Sequence, residues 1–363
     1  MAKIIMYVYG DLATDARVQR AGSALSGKNS VTVISNKPSR PILSTSFDSI
    51  FIDSPIKGFF GMLQSIRGAI RIVRKCDPDI LYCHDYYSSL LAYFFIKSNA
   101  KFKIVYDAHE LIIPEKGIID RRLSFFRWFE KRIIKKVGLL ICANEDRGKM
   151  MKDYYRLSDN PLVIPNVSKL EIEDNEEVNK VVEDHKVFFD NPLPAIVYAG
   201  VVTKGRCVDK LLDSVIRLMP KYKILIVGDG NAREELENKV GETPGLVSAF
   251  TGKVSYHTLG AILAKCDIGY VYYPNTTLNN RFCASNKVYE YSSILLPMVG
   301  NDNPTLKKEL EGNGIGVVSD NVGEAIETIM SDIASFKNNC RLYNEKNRWE
   351  AYSDLLNSAI ESL

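Results

Sequence analysis

The chain has 363 residues, of which 46% are hydrophobic and 25% charged, with a formal net charge of +3. This is the composition of a soluble globular protein, long enough for two domains that each bury a core. The seven cysteines are an odd number without a C-x-x-C pair, and no run approaches the roughly 18 apolar residues of a spanning helix, so a disulfide framework, structural zinc and a membrane span are not expected. The start, MAKIIMYVYGD, is too short for the core of a signal peptide. The expected setting is cytoplasmic, either free or peripheral on the inner face of the cytoplasmic membrane. Charge is uneven, with 26 Lys+Arg against 16 Asp+Glu in residues 1–168 and 21 against 28 in the rest. A basic first half favours an anionic partner, either membrane headgroups or a phosphorylated acceptor, and no nucleic-acid motif is present.

Residues 3–9, KIIMYVY, form a continuous apolar run ending at Gly10-Asp11. Helical spacing follows through Val18, Ala21 and Leu25, then a strand at 30–35, which together make an α/β opening. A dinucleotide site calls for G-x-G-x-x-G in this first turn. The turn has one glycine, so a nicotinamide or flavin enzyme is not expected. Arg17 and Arg20 share a helix face close to the strand's carboxyl end, where two readings are open: residues at the ligand-binding edge, or solvated surface. A third strand is expected at 48–52 and a basic amphipathic helix at 59–76. Two further strands end in His84-Asp85 and in Asp107-Ala108-His109-Glu110. In a parallel sheet both histidines fall at carboxyl-end loops, where open α/β sheets bind ligands, and neither has a metal-ligand spacing such as H-E-x-x-H. Residues 121–136, RRLSFFRWFEKRIIKK, hold seven basic residues and one acidic one among aromatics. Two readings are open: a helix lying on an anionic membrane surface, or a domain helix with a buried aromatic side and a solvated basic side. A strand at 137–144, a helix to Tyr155 and the phrase PLVIPNV follow.

From Lys169 to Asn191 the composition turns acidic, which reads as a linker with a surface helix. Strand and helix alternation then restarts at 194–200 and 223–230 and continues to DIGYVYY. The turn after Gly200 places Lys204 and Arg206 at a strand's carboxyl end, a setting for pyrophosphate. Gly228-Asp229-Gly230 is a turn that any α/β domain could show. Asn279 to Gly300, NNRFCASNKVYEYSSILLPMVG, reads as loop, helix N-terminus and short buried strand. With Ser285 or Asn286 as N-cap, the free N–H groups of the first turn face the loop and suit phosphate. Glu290, beside Lys287, either accepts from two adjacent hydroxyls of the kind a ribose presents, or caps its own helix or pairs with Lys287.

The run ASNKVYEYSSILLPMVGNDNP resembles the donor-site segment of GT-B glycosyltransferases, in particular the retaining family four (group 1) and its Asn-Lys-x-x-Glu-Tyr subgroup. The resemblance implies two doubly wound, Rossmann-like α/β domains facing across a cleft. Residues 1–168 would bind the acceptor, 169–193 would link, and 194–345 would bind the nucleotide sugar. A helix from about residue 346 to 363 would cross back to the first domain through Trp349 and Tyr352. Glu290 would hold the donor ribose, and Arg206 and Lys204 the leaving diphosphate. Gly10, Gly228, Ser285, Asn286 and Lys287 would surround the donor, and His109, with His84 nearby, would reach the transferred sugar. Phe282 stands where many members carry a further Glu, which leaves the contact to the donor's sugar-phosphate end unassigned. The implied reaction moves a hexose, with retention and without metal or cofactor, from a UDP- or GDP-sugar to a saccharide or lipid-linked acceptor, in cell-surface polysaccharide or glycoconjugate synthesis. A sugar-nucleotide epimerase of the same architecture and a non-catalytic nucleotide-binding partner are the alternatives. Base, sugar, acceptor and linkage are not identified by these residues.

Overall fold

A computed structural model describes residues 1–40, 42, 45–56, 58–115, 117 and 120–363. The chain divides into two compact units, one of Met1–Asn166 with Trp349–Leu363 and the other of Val167–Arg348. In the first unit the strands are β1 (Lys3–Asp11), β2 (Ser30–Asn36), β3 (Asp48–Ile52), β4 (Ile80–His84), β5 (Lys103–Ala108), β6 (Leu139–Cys142) and β7 (Leu162–Val163). They form one parallel sheet in the order β3-β2-β1-β4-β5-β6-β7. The second unit contains β8 (Ala195–Ala199), β9 (Lys223–Val227), β10 (Ser248–Gly252), β11 (Ile268–Val271), β12 (Met298–Gly300) and β13 (Gly316–Val318). Their order, also parallel, is β10-β9-β8-β11-β12-β13.

The central strands are apolar along their whole length because helices cover both faces of each sheet. In β8 and β9 successive side chains enter opposite cores. Val197, Leu225 and Val227 join one cluster, while Ile196, Ile224 and Ile226 join the other. Each sheet reverses its winding beside its first strand, between β1 and β4 and between β8 and β11. At such a switch point the flanking loops diverge and leave a crevice at the carboxyl edge.

The acidic stretch at 169–193 supplies the expected surface helix, but it packs as part of the second unit and not as a free linker. It forms the helices Glu176–Asp184 and Lys186–Phe189, whose Val178 and Phe188 are buried in the second unit's core together with Leu170. Composition misled here because the acids are employed in tertiary contacts: Glu177 accepts from Ser255 N at 3.1 Å and from Thr258 Oγ1 at 2.7 Å. The closing helix, Trp349–Glu361, belongs to the first unit. Its Leu356 and Ile360 enter the core, its Asn357 donates to Ala24 O at 3.1 Å, and Trp349 lies beneath Arg20.

The basic helix spans Arg121–Ile133 and is capped by Asp120, whose side chain accepts from Leu123 N. Its one acid, Glu130, is buried and accepts from Tyr106 Oη at 2.8 Å and from Tyr155 Oη, which ties the helix to β5 and to the helix Glu145–Tyr155. Burial pushes the Glu130 carboxyl up to about 7, against the pull of the two phenols. Between the ordinary glutamate value and about pH 7 the folded chain therefore binds more protons than the unfolded one, and stability falls as pH rises through that window, by up to about 1.4 kcal/mol per pH unit. Glu130→Gln lacks this loss. Its melting temperature should gain on wild type from pH 5 to pH 8, and melting curves that stay parallel across that range would contradict the assignment.

Candidate active site

Each switch point carries a group of polar side chains. In the first unit Asp107, at the end of β5, is almost fully buried and holds Arg17 in a two-point contact, Nε to Oδ2 at 3.0 Å and Nη2 to Oδ1 at 2.7 Å. Arg17 Nη1 also donates to Ile164 O at 2.7 Å and to Asn166 Oδ1 at 2.9 Å. The reading of Arg17 as solvated surface is therefore overturned. The helix that carries it, Ala16–Ser26, starts at the carboxyl end of β1, so the guanidinium turns inward over the sheet edge. The adjacent cation holds the Asp107 carboxyl well below its usual range, despite burial.

His84 and His109 come together as neither spacing nor sequence distance required. His84 Nδ1 lies 3.2 Å from His109 Nε2, and Asp107 Oδ2 is 3.5 Å from the former and 3.7 Å from the latter. Tyr82 stacks on His84 at 4.4 Å and donates to Asp107 Oδ2 at 3.3 Å. The two rings are pushed in opposite directions. Burial lowers His84, whereas Asp107 overcomes the same burial at His109 and raises it. His109, the more accessible ring, is the one whose charged form its surroundings favour. The ligand atoms of His84, Asp107 and His109 lie within 4.8 Å of one another, but both oxygens of that carboxylate already accept from Arg17. Gly10 lies near the end of β1. A Cβ there would meet nothing closer than Val8 at 3.9 Å, so packing does not require the glycine.

In the second unit the helix Asn286–Ser293 starts beside β8 and β11, with Ser285 as N-cap and no side-chain cap bond. Val288, Tyr291 and Ser292 face the core, and Tyr291 Oη accepts from Ala199 N at 3.1 Å. This fixes Lys287 and Glu290, one turn apart, on a different face. Lys287 reaches back to the end of β8: a Cβ on Gly200, whose φ is +143°, would stand 2.9 Å from its Nζ. Burial lowers the Lys287 ammonium, Glu290 opposes that shift, and the nearby Arg206 cation reinforces it. Arg206 is held at 4.6 Å over the Tyr273 ring and donates to Tyr272 O at 3.2 Å. Asn301 in turn fixes Tyr273, accepting from its N at 2.8 Å and donating to its O at 2.9 Å. Glu290 is half-buried, with Tyr256 Oη at 3.4 Å.

Two of the expected donor residues lie apart from this group. Lys204 is exposed and pairs with Glu235 at 3.1 Å. Gly228 shapes the edge from below: with φ at +127°, a Cβ there would come within 1.9 Å of Gly200 O, so only glycine lets the two turns meet. Tyr273, Asn301 and the Arg17–Asp107 pair were not found by sequence reasoning. The one available signal was an aspartate ending an apolar strand, which implies a buried carboxylate in need of a cation.

Residues 18–170 match the family model described as Glycosyltransferase Family 4. No curated protein matches the sequence. Among solved structures, the chain resembles sucrose-phosphate synthase from Thermosynechococcus elongatus, at 14% identity over 99% of this chain and 98% of that one, with a TM-score of 0.76. It also resembles Alr3699/HepE from Anabaena, at 14% identity over all of both chains with a TM-score of 0.75, and WaaG, a glycosyltransferase involved in lipopolysaccharide biosynthesis, at 12% over 97% and 99% with 0.69. Two doubly wound parallel sheets of this kind, with the matched family segment, define a glycosyltransferase of the GT-B fold. Residues 18–170 thus carry the Glycosyltransferase Family 4 domain. The epimerase and idle-partner alternatives are not retained.

Removing Arg17 leaves a buried carboxylate without its cation, which costs about 3–5 kcal/mol. Arg17→Ala should therefore lower the urea unfolding free energy by that amount. A loss under about 1 kcal/mol would show that the pair does not organise this edge.

Proposed function

We propose that the second unit holds a nucleotide diphosphate sugar and that the enzyme transfers its sugar, with retention, to a saccharide or lipid-linked acceptor. The observation that carries this reading is the convergence of Arg206 and Lys287 beside Gly200, next to the N-terminus of the helix Asn286–Ser293. Cleaving a glycosyl phosphate leaves a diphosphate whose charge must be stabilised as it forms. Two fixed cations and uncapped backbone N–H groups are suited to that task, and we assign no metal or cofactor to it. Close approach of the diphosphate is favoured by Gly200, which has no side chain to obstruct it. Lys204 has the weaker claim, since its ammonium already has a partner.

Glu290, on the same helix face as Lys287, is assigned the two ribose hydroxyls, and His109 the transferred sugar. Asp107 favours the charged form of the His109 ring, and a charged donor suits a sugar hydroxyl better than a neutral ring would. The Anabaena relative has been solved with UDP and glucose and with UDP-glucose, which favours UDP over GDP as the donor base here. WaaG's role in lipopolysaccharide biosynthesis favours a cell-surface glycoconjugate as the product. No helix among the described residues is long and apolar enough to cross a membrane. With Glu130 turned inward, the charges left exposed on residues 121–136 are cations, and they support a peripheral position on an anionic membrane face.

Truncating Glu290 removes hydrogen bonds to a charged acceptor, each worth about 1.5–3 kcal/mol. Glu290→Ala should raise the donor KM about tenfold or more while leaving the acceptor KM within about twofold. Arg206→Ala should lower kcat by about 10²–10³. Steady-state rates of UDP release measure both, and wild-type kinetics in either variant would refute the corresponding role.

A further inference from the structure

We propose that Asp85 is the base of the transfer and that its carboxylate takes the proton of the attacking hydroxyl. This rests on the transfer reading above, which names no group to receive that proton.

Asp85 directly follows β4 at the carboxyl edge of the first sheet, beside the switch between β1 and β4. Its backbone is held at φ +60°, ψ 165°, a conformation that L-residues rarely adopt. Three bonds fix it there. Its N–H donates to Asp107 O at 2.9 Å, and its carbonyl accepts from Ser88 N at 3.0 Å and from Ser88 Oγ at 2.6 Å. Strain of this kind persists only where the surroundings over-determine it, and it gathers at functional sites. The side chain is half-buried, and its Oδ1 is buried without a hydrogen-bond partner among the described residues. A carboxylate that keeps one oxygen out of water without a donor holds a proton more readily than a solvated one.

The neighbouring titratable groups are already employed. Both oxygens of Asp107 accept from Arg17. Asp15 caps the helix Ala16–Ser26 by accepting from Val18 N at 3.1 Å, and Asp11 accepts from Ala13 N at 2.9 Å and from Ser39 N at 3.1 Å. Glu145 and Asp146 occupy the first turn of the helix Glu145–Tyr155, where free N–H groups attract acids. Glu110 is exposed, His84 is fully buried, and the surroundings of His109 favour the form with no lone pair to give. Burial pushes the Asp85 carboxyl up to about 7, against the pull of the His109 ring and the Tyr86 N–H and with the help of Glu110 and Asp15. A base works best when it titrates near the working pH.

His109, assigned above to the transferred sugar, is near enough to act on the Asp85 carboxyl, so a base at Asp85 stands beside the group that would hold the reacting sugar. In the step, the attacking oxygen bonds to the anomeric carbon as the bond from that carbon to the phosphate oxygen breaks. The electron pair of the broken bond leaves with the diphosphate, and the hydroxyl proton passes to the Asp85 carboxylate. The half-buried residue then returns the proton to solvent.

The test uses the full chain and UDP-glucose, with water as the attacking hydroxyl and UDP release as the readout. Since only the ionised carboxyl accepts a proton, the wild-type kcat/KM should climb with pH up to about 7 and level off above it. Asp85→Asn should lower kcat by about 10²–10⁴ and lose that acidic limb, with UDP affinity unchanged by calorimetry. Asp85→Gly suits the positive φ and so keeps the fold; it should be as slow as Asp85→Asn, and added formate should speed its UDP release about tenfold or more while leaving the wild type unaffected. Rates in Asp85→Asn within about threefold of wild type would overturn the proposal, because the leaving diphosphate would then take the proton itself. So would a loss of rate that leaves the acidic limb in place, or a glycine variant that formate does not speed. Failure of the wild type to bind UDP, or to release it from UDP-glucose, would instead strike at the transfer reading itself.

Discussion

A parallel sheet that winds outward in both directions from one strand must open at its carboxyl edge, because the two connections leaving that edge depart to opposite sides. Both units of this protein are built on that constraint, at β1/β4 and at β8/β11. The polar groups that matter lie at these openings for a simple reason. Elsewhere the strands are covered on both faces, and an unpaired charge there would go without solvent or partner.

The two edges solve the problem of buried charge differently. In the first unit the charge is neutralised within the protein, where Arg17 grips Asp107 at two points and Asp107 favours the charged form of His109, while burial disfavours that of His84. In the second unit two cations share one edge with a single nearby carboxylate, Glu290. Lys287 and Arg206 lie close enough for one to depress the other's ammonium, and they share the edge with the first turn of a helix. Two neighbouring cations disfavour each other's charge, and in the donor reading proposed above an anion between them would relieve that repulsion.

Much of the support for these groups comes from residues without charge. Gly228 lets one turn press on another, Asn301 pins both backbone groups of Tyr273, and Tyr273 gives Arg206 a ring to rest on. Precision at the edge depends on these contacts as much as on the ionisable side chains they orient.

The order of strands and helices, the two-domain plan and the helix start before Lys287 and Glu290 were legible in the sequence, because apolar runs, turn residues and helical spacing act over a few neighbours at a time. Linear proximity also grouped Lys287 with Glu290, one turn apart on a single helix. Tertiary structure alone decided the rest. It buried Arg17 against a carboxylate 90 residues away, turned Glu130 inward, folded the acidic stretch 169–193 into the second core, and separated Lys204 from Arg206 although they stand two residues apart. Which charge finds which partner depends on the strands that the sheet order brings side by side, and no local pattern carries that information.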